Sequence, residues 1–386
     1  MKKIKCLLPL LAAMTLSACG GNEVIGGGDT TIDYNKYEAD QIYQKFHEDK
    51  TIYNETACFV EEDDGIYAKL LYKPTKIHSI KDNTLQKEYN LEDFYFEGNK
   101  LFFKEGVEVP FFTKENMTCE TMIEGSGIDK MPGKVPGTNV MFTEGGGIVT
   151  RQLSITYSHE DTWEGKKNDY QGDLLPSTMN KLKNKEHLTI GWYGDSIMTG
   201  CNSSGKLGLA PYLDDFATGV TDELSRRFSH EQIEMFNSSK GGMLSDWGVT
   251  NVDSLVNAYN PDLVFIGFGM NDGSWNVKPD TYVEQIETIL NKLQLHNNDV
   301  EVVIIATIVA NPDSTQNARQ EEYLEPLKEM VSNYEKTCLL DMTSYSKYML
   351  TKKRSVDIYA NNINHPSDFM VRGYVSNILE TLVEEY

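Results

Sequence analysis

Three polar residues in the C-terminal half of the chain have side chains that can carry out acyl transfer when they are brought together. Ser196, in a GDS tripeptide, directly follows an apolar segment and carries a hydroxyl that can act as a nucleophile. Asn271 follows a second apolar segment, and its amide can donate a hydrogen bond to a developing oxyanion. His365, in an NHP tripeptide before the last predicted helix, can act as the general base. Each residue alone is a weak signal, but their order along the chain predicts a hydrolytic site.

A glycine pair and a tryptophan belong to the same hypothesis. Gly242 closes the segment NSSKGG, and its small size lets a backbone N–H approach a ligand closely; Gly241 can take the same role. Trp275 comes four residues after Asn271 and can shape an acyl pocket or stack on a sugar. Trp192 alternates within a predicted strand, which favours core packing instead.

These residues follow the ends of predicted strands. Apolar strands are expected at 188–194, 233–237, 263–269, 300–310 and 338–342, with helical stripes at 212–228, 283–293 and 374–382. Strands that alternate with helices indicate a parallel sheet covered on both faces. Ligand chemistry then belongs beyond the carboxyl ends of the strands.

The four segments together resemble the SGNH (GDSL) hydrolase family over residues 188–386. The resemblance implies an α/β domain, flavodoxin-like and three-layered, with a five-stranded parallel sheet. It makes Ser196 the nucleophile and His365 the base, with an oxyanion hole formed by the Ser196 N–H, Gly242 and Asn271. It implies no metal and no organic cofactor.

One position departs from the family pattern. The family usually has an Asp three residues before the His, and here that position is Asn362. The site is therefore a Ser–His dyad or a triad, in which a backbone carbonyl or the Asn362 oxygen orients the imidazole. Asp357 and Asp341 are alternative orienting groups.

The N-terminal part of the chain predicts export and a second domain. Residues 1–18 have the pattern of a signal peptide, and LSACG at 16–20 resembles the lipobox of bacterial lipoproteins, with Cys19 as the lipidated residue. Residues 19–32 read as a flexible tether. Short β-like segments at 33–165 predict a β-sandwich or jelly-roll accessory domain that supplies no catalytic group, and 166–187 form a linker. The expected location is the cell surface, with membrane contact through the lipid anchor only.

Four cysteines remain after Cys19. Export permits disulfides, so Cys58 and Cys119 can pair, whereas Cys201 and Cys338 are expected to be buried thiols. Their spacing does not favour a zinc site.

Charge and composition narrow the function. With 36 Lys and Arg against 58 Asp and Glu, the formal net charge is −22, which argues against nucleic acid as a partner. The leading hypothesis is a serine esterase that removes short acyl groups, acetyl above all, from carbohydrate. A lysophospholipase or other lipid esterase with the same site is a second hypothesis. A non-catalytic glycan-binding lipoprotein is a third, favoured by Asn362 and opposed by the intact Ser196 and His365.

Overall fold

The computed structural model describes residues 42–384. The predicted signal peptide, Cys19 and the tether lie outside these residues. Within the described part of the chain, no helix combines the length and the apolar character needed to cross a membrane.

The N-terminal region is built from strands, as its short β-like segments predicted. The strands are β1 (Thr51–Ala57), β2 (Phe59–Glu62), β3 (Gly65–Lys69), β4 (Pro74–Asp82), β5 (Phe94–Glu97), β6 (Lys100–Phe103), β7 (Phe111–Phe112), β8 (Asp129–Pro132), β9 (Asn139–Phe142) and β10 (Leu153–His159), with one short helix, α1 (Lys114–Met117). They form a three-stranded sheet ordered β1-β10-β4, a five-stranded sheet ordered β5-β6-β3-β2-β7, and the hairpin β8-β9.

The C-terminal region confirms the predicted α/β domain. Its strands are β11 (Leu188–Gly194), β12 (Ile233–Asn237), β13 (Leu263–Gly267), β14 (Glu301–Ala306) and β15 (Thr337–Asp341). The five strands are parallel and ordered β12-β11-β13-β14-β15, so the strand order reverses beside β11 as in flavodoxin-like sheets. The end of β11 therefore lies at the topological switch point, where Ser196 follows.

Helices cover both faces of this sheet. They are α2 (Pro176–Asn184), α3 (Phe216–Phe228), α4 (Ser245–Leu255), α5 (Met270–Ser274), α6 (Pro279–His296), α7 (Leu324–Val331), α8 (Met342–Lys352), α9 (Ser355–Ile358) and α10 (Asp368–Leu382). The predicted stripe at 212–228 becomes α3, which begins later than its first apolar residue because the Asp215 side chain caps the helix by accepting from the Thr218 N–H. Tyr212 stays outside the helix with a positive φ and is half exposed.

The two regions share one hydrophobic core and several buried polar links. Arg372 of α10, 1% exposed, donates hydrogen bonds to backbone carbonyls of the N-terminal region, at Ile42, Tyr53 and Asn54. Lys353 and Glu55 form a fully buried ion pair between the regions. The regions therefore pack as one unit.

Cys58 and Cys119, for which the sequence permitted a disulfide, are both free thiols. The Cys58 thiol instead donates to the Val356 carbonyl at 3.5 Å, which places it at the junction with α9, while Cys119 is partly exposed. Cys338 is buried as expected, but Cys201 is only partly so.

Candidate active site

Ser196 lies in a tight turn after β11. The Asp195 carboxylate accepts from the Ile197 N–H at 3.0 Å, and the Ser196 carbonyl accepts from the Thr199 hydroxyl at 2.7 Å. This turn does not continue into a helix, because α3 begins only at Phe216. The serine is buried, since only 6% of its surface is accessible.

His365 is brought to Ser196 from the loop before α10. Its Nε2 lies 2.9 Å from Ser196 Oγ, which is hydrogen-bond distance. The side chain of Asn361 shapes this loop, because its Oδ1 accepts from the backbone N–H groups of Ile363, Asn364 and His365. The structure therefore places the predicted nucleophile and the predicted base in contact.

The second ring nitrogen of His365 contacts Asn202, a residue that the sequence reasoning missed. Asn202 Oδ1 lies 2.5 Å from His365 Nδ1, and its Nδ2 donates to the Glu144 carbonyl at 3.0 Å. Because Nδ2 faces an acceptor, the amide presents its oxygen to the ring. An amide oxygen can only accept, so Nδ1 carries the proton and Nε2 keeps its lone pair towards Ser196.

Asn362 does not orient the imidazole, contrary to the sequence hypothesis. Its Nδ2 donates to the Met141 carbonyl at 2.8 Å, and its backbone carbonyl accepts from the Asn311 side chain at 2.8 Å. The residue is buried with a positive φ of 63°, and it lines a cavity of about 690 Å³ between the two regions. Asn362 and Asn311 therefore brace the loop that carries His365. The group at His365 Nδ1 is also not the backbone carbonyl that the sequence analysis offered as an alternative, because the Asn202 side chain takes that place.

The two aspartates proposed as alternative orienting groups have other partners. Asp357 accepts from the backbone N–H groups of Cys58 at 2.7 Å and Arg354 at 3.0 Å. Asp341 caps α8 by accepting from the Ser344 N–H at 2.8 Å. Both carboxylates serve the packing of the structure.

The predicted oxyanion-hole residues lie on loops at the same edge of the sheet. The Lys240 N–H donates to the Gly194 carbonyl at 3.0 Å, which holds the glycine loop against the end of β11. A Cβ built on Gly241 would lie 3.7 Å from Ser196 Cβ, whereas Gly242 has a positive φ of 76° and open space around it. Gly241 therefore lies beside the serine, and the positive φ of Gly242 gives the turn its conformation.

Asn271 is held in the first turn of α5. Its Nδ2 donates one hydrogen bond to the Met243 carbonyl at 3.0 Å, next to the glycine loop. A side-chain amide has two N–H donors, so the second remains available for a ligand. The geometry suits the predicted role as an oxyanion donor.

The tryptophans divide as the sequence suggested. Trp192 is fully buried and stacks on Phe265 with ring centroids 4.0 Å apart, so it belongs to the core. The ring centroids of Trp247 and Tyr193 lie 5.7 Å apart, so Trp247 packs against a buried side chain. Trp275 follows α5 and is 70% exposed, which leaves its ring free to meet a ligand.

Burial sets the protonation of the site. Desolvation lowers the pKa of His365 to about 4, so the ring is neutral at pH 7 and ready to accept a proton. Burial also raises the pKa of Asp195 to about 7, with a further contribution from the nearby Asp272 carboxylate.

The N-terminal region reaches this site through the loop after β9. Glu144 supplies the carbonyl that binds Asn202, and its carboxylate Oε2 lies 3.7 Å from His365 Nδ1. The expectation that this region contributes nothing to the catalytic groups therefore needs revision.

One group of side chains elsewhere has a geometry that can hold a metal ion. The ligand atoms of His47, Glu48 and Glu380 lie within 4.8 Å of one another. Lys45 lies 3.8 Å from Glu380 and Lys167 lies 3.7 Å from Glu48, so lysine ammonium groups already place positive charge there.

A known protein family matches part of the C-terminal region. Residues 192–369 match the GDSL-like lipase/acylhydrolase family. No curated protein matches the chain.

Several solved structures are similar to part of this chain at low identity. A two-domain esterase active on acetylated mannans, crystallised with mannopentaose, is 20% identical with a TM-score of 0.43, and the match covers 56% of this chain and 55% of that one. A lipase/acylhydrolase from Enterococcus faecalis is 20% identical with a TM-score of 0.39, covering 50% of this chain and 93% of that one. An acetylxylan esterase from Geobacillus stearothermophilus is 16% identical with a TM-score of 0.41, covering 51% and 94%. This chain thus spans about half the length of the mannan esterase.

Proposed function

We propose that the protein removes short acyl groups from carbohydrate. The premises are that residues 192–369 form a GDSL-like (SGNH) acylhydrolase domain and that the protein is a serine hydrolase acting on esters. The observation that carries the proposal is the hydrogen-bonded chain from Ser196 Oγ through the His365 imidazole to Asn202 Oδ1, with distances of 2.9 and 2.5 Å.

The chain of hydrogen bonds assigns a role to each residue. Ser196 Oγ attacks the acyl carbonyl while His365 Nε2 takes its proton. Asn202 holds the Nδ1 proton, so the ring turns its lone pair to the serine. The oxyanion that forms on the carbonyl oxygen accepts hydrogen bonds from the Asn271 amide, the Ser196 N–H and an N–H of the glycine pair Gly241-Gly242.

The second half of the reaction regenerates the enzyme. The imidazolium gives its proton to the leaving sugar oxygen as the ester C–O bond breaks, which leaves an acyl group on Ser196. Neutral His365 then takes a proton from water, the hydroxide attacks the acyl-enzyme, and the acid leaves as the proton returns to Ser196 Oγ.

The surroundings of the serine favour a small acyl group on a polar leaving group. The loop at 199–208 is polar and glycine-rich, and it buries Asn202, Ser203 and Ser204, whereas a long acyl chain would need an apolar path. Trp275, exposed beyond α5, offers a flat face on which a sugar ring can stack. An acylated carbohydrate is therefore the proposed partner, and the reaction needs no metal or organic cofactor.

A panel of esters tests the proposal. Purified protein should hydrolyse p-nitrophenyl acetate faster than the butyrate and longer esters, and it should release acetate from an acetylated polysaccharide. Preference for long esters or a lysophospholipid would favour the lipid-esterase hypothesis. Absence of turnover on every ester would favour the non-catalytic glycan-binding hypothesis.

The Ser196→Ala variant is the control that ties turnover to this site. Loss of the nucleophile should reduce kcat by about 10³-fold or more, while circular dichroism stays unchanged. Near-normal turnover by the folded variant would remove Ser196 from the mechanism.

The proposed location rests on the lipobox-like segment that ends at Cys19. An exported protein whose Cys19 carries lipid would act at the cell surface. Labelled palmitate should enter the wild-type protein in a bacterial host and should not enter Cys19→Ser. Equal labelling of the two would exclude Cys19 as the anchor.

A further inference from the structure

We propose that Glu144, contributed by the N-terminal region, is a positioning residue whose carboxylate stabilises the protonated imidazole of His365 during ester hydrolysis. The inference rests on the proposed function, because the imidazolium forms only if His365 serves as the base. It gives the reaction a carboxylate that the sequence motif lacks at Asn362.

Distance and environment support this role. Glu144 Oε2 lies 3.7 Å from His365 Nδ1, on the side of the ring that faces away from Ser196. When the ring takes the serine proton, a positive charge develops within ion-pair range of this carboxylate. The imidazole is itself buried, so water stabilises that charge poorly, and the half-exposed carboxylate of Glu144 contributes more than it would to a ring in solvent.

The position of Glu144 is fixed by the structure rather than left to a mobile loop. The preceding residue, Thr143, is 1% exposed; its hydroxyl donates to the Gly127 carbonyl at 2.9 Å and accepts from the Gly145 N–H at 3.0 Å. On the other side, the Glu144 carbonyl accepts from Asn202 Nδ2 at 3.0 Å. These bonds hold the backbone of Glu144 beside the histidine.

A second link joins β9, the strand that precedes Glu144, to the loop that carries His365. Asn362 Nδ2 donates to the carbonyl of Met141, in β9, three residues before Glu144. The N-terminal region therefore contacts the site on both sides of His365, through Asn202 and through Asn362. These contacts explain how the carboxylate of Glu144, which is far from His365 in the sequence, is held close to the imidazole.

Other carboxylates near the site are directed to different partners. Asp195 Oδ1 accepts from the Ile197 N–H at 3.0 Å, and Asp368 Oδ1 accepts from the Ser204 N–H at 2.9 Å. Among the ion pairs formed by the described residues, the one that includes His365 is with Glu144. Glu144 is therefore the carboxylate that faces the ring directly.

The test compares charge with shape at this position. Glu144→Gln keeps the size and the backbone carbonyl but removes the charge, while Glu144→Asp keeps the charge on a shorter side chain. Glu124→Gln removes an exposed carboxylate from the same region and serves as the matched control. For each variant, kcat and KM on p-nitrophenyl acetate are measured from pH 4 to 9 at low and high salt.

A role in charge stabilisation predicts a specific pattern. At pH 8 and low salt, Glu144→Gln should lower kcat by about tenfold with little change in KM, because only the charged state of the ring is affected. The difference in kcat between Glu144→Gln and wild type should shrink as pH falls and Glu144 is protonated. Because burial raises the pKa of this carboxyl, the two kcat values should begin to converge at a higher pH than for an ordinary glutamate. Added salt should also shrink the difference. Glu144→Asp should recover part of the loss, and Glu124→Gln should match wild type.

Two kinetic outcomes would overturn the inference. A Glu144→Gln variant with wild-type kcat at every pH means that the carboxylate has no effect on the imidazolium. A loss of equal size at every pH and salt concentration, shared by Glu144→Asp, means that Glu144 acts only through packing.

A spectroscopic measurement keeps the inference separate from the proposed function, whose own failure is an absence of ester turnover by the wild-type protein. In an NMR titration, the His365 ring resonances of the wild type should report two transitions, the ring's own and that of the neighbouring carboxyl. Glu144→Gln should show one. Superimposable titration curves would reject the inference whether or not the protein hydrolyses esters.

Discussion

Asn202 Oδ1 lies 2.5 Å from His365 Nδ1, while Ser196 Oγ lies 2.9 Å from Nε2 of the same ring. Both ring nitrogens therefore have partners, and the partner of Nδ1 is an amide oxygen rather than a carboxylate. A neutral acceptor fixes the tautomer as well as a carboxylate does, but it adds no negative charge to stabilise the imidazolium. The orienting group and the charged group of this site are thus two residues, Asn202 and Glu144.

The first prediction concerns the orienting amide. Asn202 has a positive φ of 65°, so Asn202→Gly removes the side chain without straining the backbone. Without the acceptor, the ring loses its fixed tautomer, and kcat should fall by about 10²-fold or more. Steady-state kinetics with p-nitrophenyl acetate measure the loss.

Asn362→Gly is the matched control, because Asn362 holds the position at which the family usually has its aspartate and has a similar positive φ of 63°. Since its side chain contacts the Met141 carbonyl and not the ring, the loss in kcat should stay below about tenfold in the folded protein. A larger loss for Asn362→Gly than for Asn202→Gly would contradict the assignment of Asn202.

The second prediction concerns the oxyanion donor. Asn271 uses one N–H on the Met243 carbonyl and keeps the other for a ligand. Asn271→Ala should lower kcat by on the order of 10²–10³-fold, as removal of an oxyanion-hole donor does in other hydrolases. A change confined to KM would instead make Asn271 a substrate-binding residue.

Local patterns were enough to predict the α/β fold and the Ser196–His365 pair. The strand β11 begins and ends where its apolar run does, because a buried parallel strand needs a continuous apolar segment. The edge strand β12 also has its predicted bounds, although it is only partly buried. The Ser196–His365 pair was predicted from the resemblance of four segments to the SGNH family, with Ser196 at the carboxyl end of a parallel strand, where ligand sites lie.

Asn202 and Glu144 could not be found in this way. Asn202 lies in an irregular loop, and the residue whose carbonyl orients it comes 58 positions earlier, in the other region of the chain. Neither contact has a fixed spacing from a motif, so only tertiary packing brings the residues to His365. The one signal in the sequence is the polar run Asn202-Ser203-Ser204 after the nucleophile, which is buried although its composition is typical of an exposed loop.

The third prediction is the pH dependence of activity. An unperturbed histidine has a pKa near 6.5, whereas burial lowers the pKa of His365 to about 4. The base works only when neutral, so activity is lost as pH falls through this pKa and is full above it. The acid limb of kcat/KM should therefore lie below pH 6.5, towards pH 4, in a profile corrected for enzyme inactivated at each pH. A midpoint at or above 6.5 would show that the imidazole is not desolvated in the free enzyme.

The last prediction concerns the joint between the two regions. Arg372 is 1% exposed and donates to backbone carbonyls of the N-terminal region, at 2.9 Å to Tyr53 and 3.1 Å to Asn54. Arg372→Leu leaves these partly buried carbonyls without their donor and removes a buried guanidinium from the joint, so the free energy of unfolding should fall by about 3 kcal/mol or more. Urea denaturation followed by tryptophan fluorescence and by circular dichroism measures the loss.

Arg227→Leu provides the comparison, since Arg227 is a partly exposed arginine of α3 whose guanidinium pairs with Glu223. Its loss should change the free energy of unfolding by no more than about 1 kcal/mol. Because the shared core makes the regions one cooperative unit, both optical signals of Arg372→Leu should still change in a single transition at lower urea. The regions are independent domains if Arg372→Leu lowers the free energy of unfolding no more than Arg227→Leu does, or if the wild type unfolds in two separate transitions. In that case the carboxylate of Glu144 is held at His365 by the Asn202 and Asn362 contacts alone.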